Sequence, residues 1–265
     1  MKKVLSETFF LSAGETNAEQ EMSLPLLVSK LIDIATLHAN HLGIGNPSMK
    51  EMKAGWVLAR LAVEIKDYPK VNENYTLSTW IESFNRHFST RCFELKNEKN
   101  ETVGYARSIW MVMHTENHTN VGLSHFTLPE NLISGEEVPI PPMAKHVSRI
   151  CTDESDYDPK TCLMATHSPV EYTFQYCDLD AYRHVNTVRY VSLLLNQFSL
   201  REHDEMMVKR IELSFLHEAK YGMNVSLYRS DEKNNGVSSF SLVETANLNQ
   251  ILYAKIIRED RKTYL

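Results

Sequence analysis

The sequence predicts an α+β protein with two similar halves, each built from a long helix and an antiparallel sheet. In both halves a short strand pattern leads through a loop into a helix pattern, and four strand patterns follow. A proline-rich segment, residues 129–145, lies between the halves and resists regular structure. Few residues are identical between the halves, so the repeat is one of pattern. A protein with two unrelated halves is the alternative.

The first half begins with a strand at Phe9–Leu11 and continues into a helix from about Ser23 to Leu42. Ser23 suits an N-cap, Pro25 suits the first turn, and Gly43 is placed to end the helix. Strand patterns then follow at Trp56–Ile65, Tyr75–Ser83, Phe88–Leu95 and Val103–His114.

The second half repeats this order, with a strand from Val170 and a helix after His184. Its strand patterns lie at Val208–Phe215, Val225–Arg229, Val237–Thr245 and Ile251–Arg258. Asn234-Asn235-Gly236 is a strong hairpin signal between two of them. We therefore expect an N-terminal domain at residues 1–128, a linker at 129–165 and a C-terminal domain at 166–265.

The composition argues against several classes of protein. At 265 residues and 43% apolar content, the chain is long enough to bury its own core. A formal net charge of -6 argues against non-specific nucleic-acid binding, and no run approaches the roughly 18 apolar residues of a membrane span. Lys2 and Lys3 are not followed by a secretory leader. The four cysteines lack the paired spacing of a zinc site, which predicts reduced thiols in a cytoplasm.

Asp178, Asp180 and His184 lie at the predicted strand-to-helix junction of the second half. The first amides of a helix lack intrahelical partners, so such a junction can hold a carbonyl that is becoming an oxyanion. A carboxylate and an imidazole beside it complete the groups needed for hydrolysis.

Each of these residues also has an interpretation without catalysis. Asp180 could serve only as a cap, because an aspartate at a helix start satisfies unpaired N–H groups. Glu218 follows a strand and could face solvent. Asp178, Asp180, His184 and Glu218 could together hold a divalent metal ion.

The stretch Asp178-Leu179-Asp180, followed by His184-Val185-Asn186 and Val188-Arg189-Tyr190, resembles the active-site motif of acyl-ACP thioesterases. These enzymes of plants and bacteria release fatty acids from acyl carrier protein (ACP). The resemblance extends over nearly the whole chain, at Trp56-Val57-Leu58, Arg60, Tyr68-Pro69, Leu77, Thr79-Trp80, Ser108, Trp110 and Phe215 to Ala219.

The resemblance implies a tandem (double) hotdog fold, in which the first half supplies an acyl pocket and the second half the catalytic residues. It implies hydrolysis of fatty acyl thioesters in fatty acid biosynthesis, no cofactor, and an acidic acyl carrier protein as partner. The implied catalytic residues are Asp180, Tyr182, His184, Asn186 and Glu218. The resemblance is also compatible with a homodimer.

Two residues depart from the plant pattern. Tyr182 replaces an asparagine, and Ala219 replaces the cysteine beside Glu218. A cysteine nucleophile is therefore impossible at that position, so the chain uses water or is inactive. The corresponding loop of the first half contains no histidine, so we expect one site per chain.

We expect the thioester carbonyl to rest on amides near Arg183 to Val185, with Glu218 or Asp180 as the base. Attack by Asp180 to give an anhydride is the alternative mechanism. An acyl-CoA thioesterase, a hotdog dehydratase and a non-catalytic acyl-thioester binder remain alternative functions. The candidate cations for docking the carrier are Lys50, Lys53, Arg86, Arg91, Arg189, Arg201, Lys209, Arg210 and Lys220.

Overall fold

The computed structural model describes residues 2–116, 119–124, 130–143, 149–152, 162–233 and 235–261. The chain forms two compact units, Met1–Pro142 and Met143–Leu265. Each unit contains an antiparallel sheet and a helix that follows the first strand of that sheet, which confirms the predicted α+β class and tandem hotdog arrangement.

The first unit begins with strand β1 (Val4–Phe10), helix α1 (Leu24–His41) and the short helix α2 (Asn46–Glu51). Four strands follow, β2 (Ala54–Ile65), β3 (Asn74–Phe84), β4 (Ser89–Lys96) and β5 (Thr102–His114). Their order in the sheet is β1-β3-β4-β5-β2. The sequence predicted each of these elements except α2, but it placed the first strand at Phe9–Leu11, whereas β1 begins at Val4.

Helix α1 begins and ends where the sequence predicted. The Ser23 hydroxyl accepts the Leu26 N–H at 3.4 Å. Gly43 follows the helix at a φ of +75°, a left-handed conformation that glycine adopts without steric cost. One face of α1 is buried, through Leu24, Leu27, Val28, Leu31, Ile34, Ala35, His38 and Ala39.

The segment from 130 to 142 packs on the first unit, although we expected it to belong to a linker. Leu132 joins a buried cluster with Ile81, and Val138 lies in another with Trp80. The indole N–H of Trp80 donates to the carbonyl of Glu136 at 2.8 Å. Apolar burial holds this segment, and its proline content gave no indication of that burial.

The second unit opens with two short parallel strands, β6 (Arg149–Cys151) and β7 (Cys162–Met164), inside the predicted linker. The sheet contains β8 (Val170–Thr173), β9 (Met206–Phe215), β10 (Asn224–Asp231), β11 (Val237–Glu244) and β12 (Gln250–Asp260). Its order is β9-β12-β11-β10-β8. β10 and β11 pair as an antiparallel hairpin, as predicted, and its turn includes residue 234, which lies outside the described residues.

The helical region of the second unit is divided into α3 (Thr187–Leu195) and α4 (Leu200–Glu205). Between them lies Phe198, whose ring is covered by the guanidinium groups of Arg229 and Arg258 at 4.3 and 3.8 Å. Glu202 of α4 forms ion pairs with both arginines. These long-range contacts stabilise α4, so the helix periodicity alone did not reveal the break.

Cys151 and Cys162 form a disulfide, so the expectation that all four cysteines are free thiols is wrong for this pair. Pairing of β6 with β7 brings their Cα atoms to 6.1 Å, a separation that a disulfide spans. Cys92 is a buried free thiol and Cys177 an exposed one. In the described part of the chain, no helix is long and apolar enough to cross a membrane.

Candidate active site

A tight turn between β8 and α3 carries three of the predicted site residues. Oδ1 of Asp180 accepts the backbone N–H groups of Tyr182 at 2.8 Å and His184 at 3.0 Å. The Asp180 amide in turn donates to the His184 carbonyl at 2.8 Å. Arg183 reverses the chain with a φ of +66°, in the left-handed region. The Asp180 carboxylate therefore holds the turn together, which is the capping role we considered beside the catalytic one.

Asn186 begins helix α3. Its Oδ1 accepts the Val188 N–H at 3.1 Å, so the side chain is the N-cap of the helix. Its own amide donates to the carbonyl of Asp178 at 2.8 Å. The cap uses the amide oxygen and leaves the Nδ2 donors for other contacts.

Asp178 is buried and serves the fold. Its Oδ2 accepts the Tyr172 hydroxyl at 2.9 Å and the Gln175 N–H at 2.7 Å. Burial, together with the hydrogen bond to Asp178, raises the pKa of Tyr172. These contacts fix the residues just before the turn.

His184 and Glu218 form the chemically competent pair. Nε2 of His184 lies 3.3 Å from Oε2 of Glu218, and the two side chains are 27% and 34% exposed. Glu218 comes from the loop that follows β9. Two backbone contacts hold this loop against the turn: the Val185 N–H donates to the Ala219 carbonyl at 2.8 Å, and His184 forms an antiparallel bridge with Lys220. Both groups are thus fixed and partly open to solvent.

The residues that depart from the plant motif lie close to this pair. Tyr182 is 62% exposed at the outer edge of the turn. The side chain of Ala219 is fully buried. Beneath them Tyr190 packs edge to face on Phe174 and Phe215, and its burial raises the pKa of its phenol.

The expectation that amides near Arg183 to Val185 hold the thioester carbonyl is wrong. The Arg183 amide donates to the Asp180 carbonyl at 3.1 Å, and the other two donate to Asp180 Oδ1 and the Ala219 carbonyl. Two of the three donors are used within the turn, and the third binds the loop that carries Glu218. An amide needed to close a turn is not available to a substrate.

The first unit contains the same turn with different side chains. Oδ1 of Asn17 accepts the Glu21 N–H at 3.0 Å, as Asp180 does for His184. Gln20 has a φ of 60°, close to that of Arg183. Glu21 forms an antiparallel bridge with Lys70, and their charged groups are 2.8 Å apart. The first unit therefore repeats the turn with a glutamate where the second unit has a histidine.

Two of the nine candidate docking cations are buried, which corrects their assignment to the surface. Arg91 donates to Nδ1 of His38 at 2.8 Å, and Arg210 pairs with Glu212 at 2.8 Å. Alternation along a strand turned both side chains inward. Lys209 is half-buried and pairs with Glu259. The other six are exposed: Lys50, Lys53, Arg86, Arg189, Arg201 and Lys220.

The four residues considered as metal ligands are used in separate contacts, although His184 and Glu218 lie together. Asp178 is engaged with Tyr172, and Asp180 with the backbone of its own turn. Within the described ranges, no group of three or more His, Cys, Asp or Glu side chains is arranged to hold a metal ion.

Solved structures share this fold. An acyl-ACP thioesterase from Bacteroides thetaiotaomicron aligns with a TM-score of 0.84 at 22% identity, covering 97% of this chain and 98% of that one. The 12:0-ACP thioesterase from Umbellularia californica aligns with a TM-score of 0.80 at 16% identity, covering 98% and 99% of the two chains.

Sequence relatives and family models agree with the structural comparison. The chain is 22% identical over 245 residues to oleoyl-acyl carrier protein thioesterase 2 of Arabidopsis thaliana, covering 88% of this chain and 64% of the relative. It is 25% identical over 226 residues to a palmitoyl-acyl carrier protein thioesterase of Gossypium hirsutum, covering 81% and 52%. The chain thus spans less than two thirds of either relative. Residues 2–123 match the acyl-ACP thioesterase N-terminal domain and residues 164–257 the C-terminal domain. Because these two matches cover most of its length, the chain belongs to the acyl-ACP thioesterase family.

Proposed function

We propose that this chain hydrolyses fatty acyl thioesters of acyl carrier protein, releasing a free fatty acid and the carrier's thiol in fatty acid biosynthesis. Family membership supports the substrate class. The observation that carries the proposal is the 3.3 Å contact between His184 Nε2 and Glu218 Oε2 beside the N-terminus of α3. A carboxylate bonded to an imidazole is a suitable base for activating water.

In the proposed mechanism, Glu218 accepts a proton from a water molecule as the water oxygen attacks the thioester carbonyl carbon. The tetrahedral intermediate then collapses, and the carbon–sulfur bond breaks. His184 passes the proton to the departing thiolate, which restores Glu218 to its starting form. With Ala219 in place of a cysteine, water is the nucleophile at this position.

The other predicted site residues take supporting roles in this proposal. Asp180 is a positioning residue, because its Oδ1 already accepts two amides of the turn that presents His184. This use of the carboxylate weighs against an anhydride mechanism at Asp180. Asn186 can donate through Nδ2, and the exposed Tyr182 hydroxyl can donate at the edge of the turn.

The proposal also covers the acyl pocket, the docking of the carrier and the cellular compartment. The first unit would hold the acyl chain. The carrier would dock on exposed cations near the turn, of which Arg189, in the first turns of α3, is the nearest in sequence. We place the protein in the cytoplasm, as a monomer or homodimer without nucleic-acid or membrane partners. The Cys151–Cys162 disulfide weighs against that compartment, since cytosolic proteins rarely keep disulfides.

The test is thiol release from a panel of acyl-ACPs and matched acyl-CoAs. Glu218→Gln should abolish release with an unchanged melting temperature, because the amide cannot accept the proton. Glu232→Gln, at an exposed position of the same unit, is the matched control and should behave as wild type.

The other outcomes separate the alternatives. Faster release from acyl-CoA would identify an acyl-CoA thioesterase. If wild type releases no thiol from either carrier yet binds acyl-ACP, the chain is a binder and the hydrolase proposal is wrong.

A further inference from the structure

Lys220 is the residue opposite His184 in the second unit. His184 and Lys220 form an antiparallel bridge. Side chains directly opposite each other in such a pair lie on the same side, with Cβ atoms roughly 5 Å apart. Lys220 therefore extends from the same side of the backbone as the imidazole that contacts Glu218.

The first unit shows where a lysine in this position can reach. Lys70 is the counterpart of Lys220, and it bridges Glu21, the counterpart of His184. Its ammonium lies 2.8 Å from Oε2 of Glu21. A lysine here can thus place its charge on an anionic oxygen located over the opposite residue.

In the second unit, the residue opposite the lysine is His184 and not a glutamate. The imidazole of His184 replaces the Glu21 carboxylate and contacts Glu218. Lys220 is exposed, and among the described residues its ammonium has neither an ion pair nor a hydrogen bond. The duplicated turn has kept the lysine and exchanged its anionic partner for an imidazole.

The hydrolysis also needs hydrogen-bond donors or a positive charge at the oxyanion. The amides of residues 183 to 185 already donate to Asp180 or to the Ala219 carbonyl. Groups placed where charge develops in the transition state are the main source of stabilisation in acyl transfer.

We propose that Lys220 is a further catalytic residue, whose ammonium binds the thioester carbonyl oxygen and stabilises the oxyanion formed when water attacks. This inference rests on the proposed hydrolase function. As the intermediate collapses, the oxyanion's electron pair re-forms the carbonyl while the carbon–sulfur bond breaks. The step moves no proton to or from Lys220.

The experiment measures kcat and KM for acyl-ACP hydrolysis by Lys220→Met and Lys220→Arg. Loss of one oxyanion donor should lower kcat on the order of 100-fold with little change in KM, and Lys220→Arg should recover much of the loss. Lys233→Met removes another exposed lysine of the same unit and should leave both constants unchanged.

The results distinguish the two proposals. A wild-type enzyme that turns over acyl-ACP while Lys220→Met keeps its kcat would overturn the role of Lys220 and leave the hydrolase standing. An increase in KM alone would also overturn it, because a carrier-docking role would then explain the lysine. Absence of wild-type turnover would overturn the hydrolase proposal and this inference together.

Discussion

Oδ1 of Asp180 accepts the backbone N–H of His184 at 3.0 Å, and Asn17 makes the same bond to Glu21 in the first unit. An amide oxygen therefore performs this task elsewhere in the same chain. Asparagine at position 180 therefore tests whether the Asp180 side chain serves only to hold the turn.

Asp180→Asn should keep turnover close to that of wild type, since the amide oxygen can still hold the turn. Asp180→Ala removes that acceptor and should lower kcat on the order of 10- to 100-fold by displacing His184. Steady-state kinetics with acyl-ACP measures both. If the asparagine variant is as inactive as the alanine variant, Asp180 is the base or nucleophile and the positioning role is wrong.

Lys70→Met should destabilise the first unit without affecting catalysis. Glu21 is 2% exposed, and the substitution removes the ammonium partner of its carboxylate. We expect a loss of about 1–3 kcal/mol in the free energy of unfolding in urea. Adding Glu21→Gln should recover part of that loss. Equal stability of wild type and the single variant would show that the ion pair contributes nothing.

Stability should fall between pH 6.5 and 4 because of His38. Arg91 can only donate, so Nδ1 of His38 must be the acceptor, and Nε2 donates to the Lys2 carbonyl at 3.0 Å. Burial, with the charge of Arg91 beside it, lowers the pKa of His38 to about 4, whereas the unfolded value is near 6.5. The unfolded state then binds more protons between these values, so stability present above pH 6.5 is lost as the pH falls, on the order of 3 kcal/mol.

Urea unfolding at pH 7 and pH 4 measures this loss. His38→Gln should make the stability less dependent on pH. The control is His87→Gln, an exposed histidine of the same unit, which should leave the dependence as in wild type. An unchanged slope in His38→Gln would assign the pH dependence to other groups.

The cysteines should react in a defined order. In the native protein, a thiol reagent should modify the exposed Cys177 rapidly and the buried Cys92 slowly. After unfolding without reductant, two thiols should titrate because Cys151 and Cys162 are joined. A count of four would mean that this pair is reduced in the isolated protein, and Cys177→Ser identifies the fast thiol.

Local patterns predicted much of the fold. Strand alternation located the sheet strands of both units except β1, which begins at Val4 and not at Phe9, and Ser23 and Gly43 marked the ends of α1 correctly. The segment at 130–142 and the short helix α4 were missed, because each depends on contacts with residues far away in sequence. Trp80 holds the first and Arg258 the second.

The sequence by itself determined the order of the main helices and sheet strands and the family, since periodicity, caps and the motif around His184 are properties of neighbouring residues. It could not determine how each side chain is used. The carboxylate of an aspartate in a turn can either accept backbone amides or act as a catalytic base. Only the tertiary structure shows that Asp180 accepts backbone amides. The pairing of His184 with Glu218, and the position of Lys220 opposite His184, depend on the register between two loops that are more than 30 residues apart. That register is fixed by the packing of the second unit, which no local pattern contains.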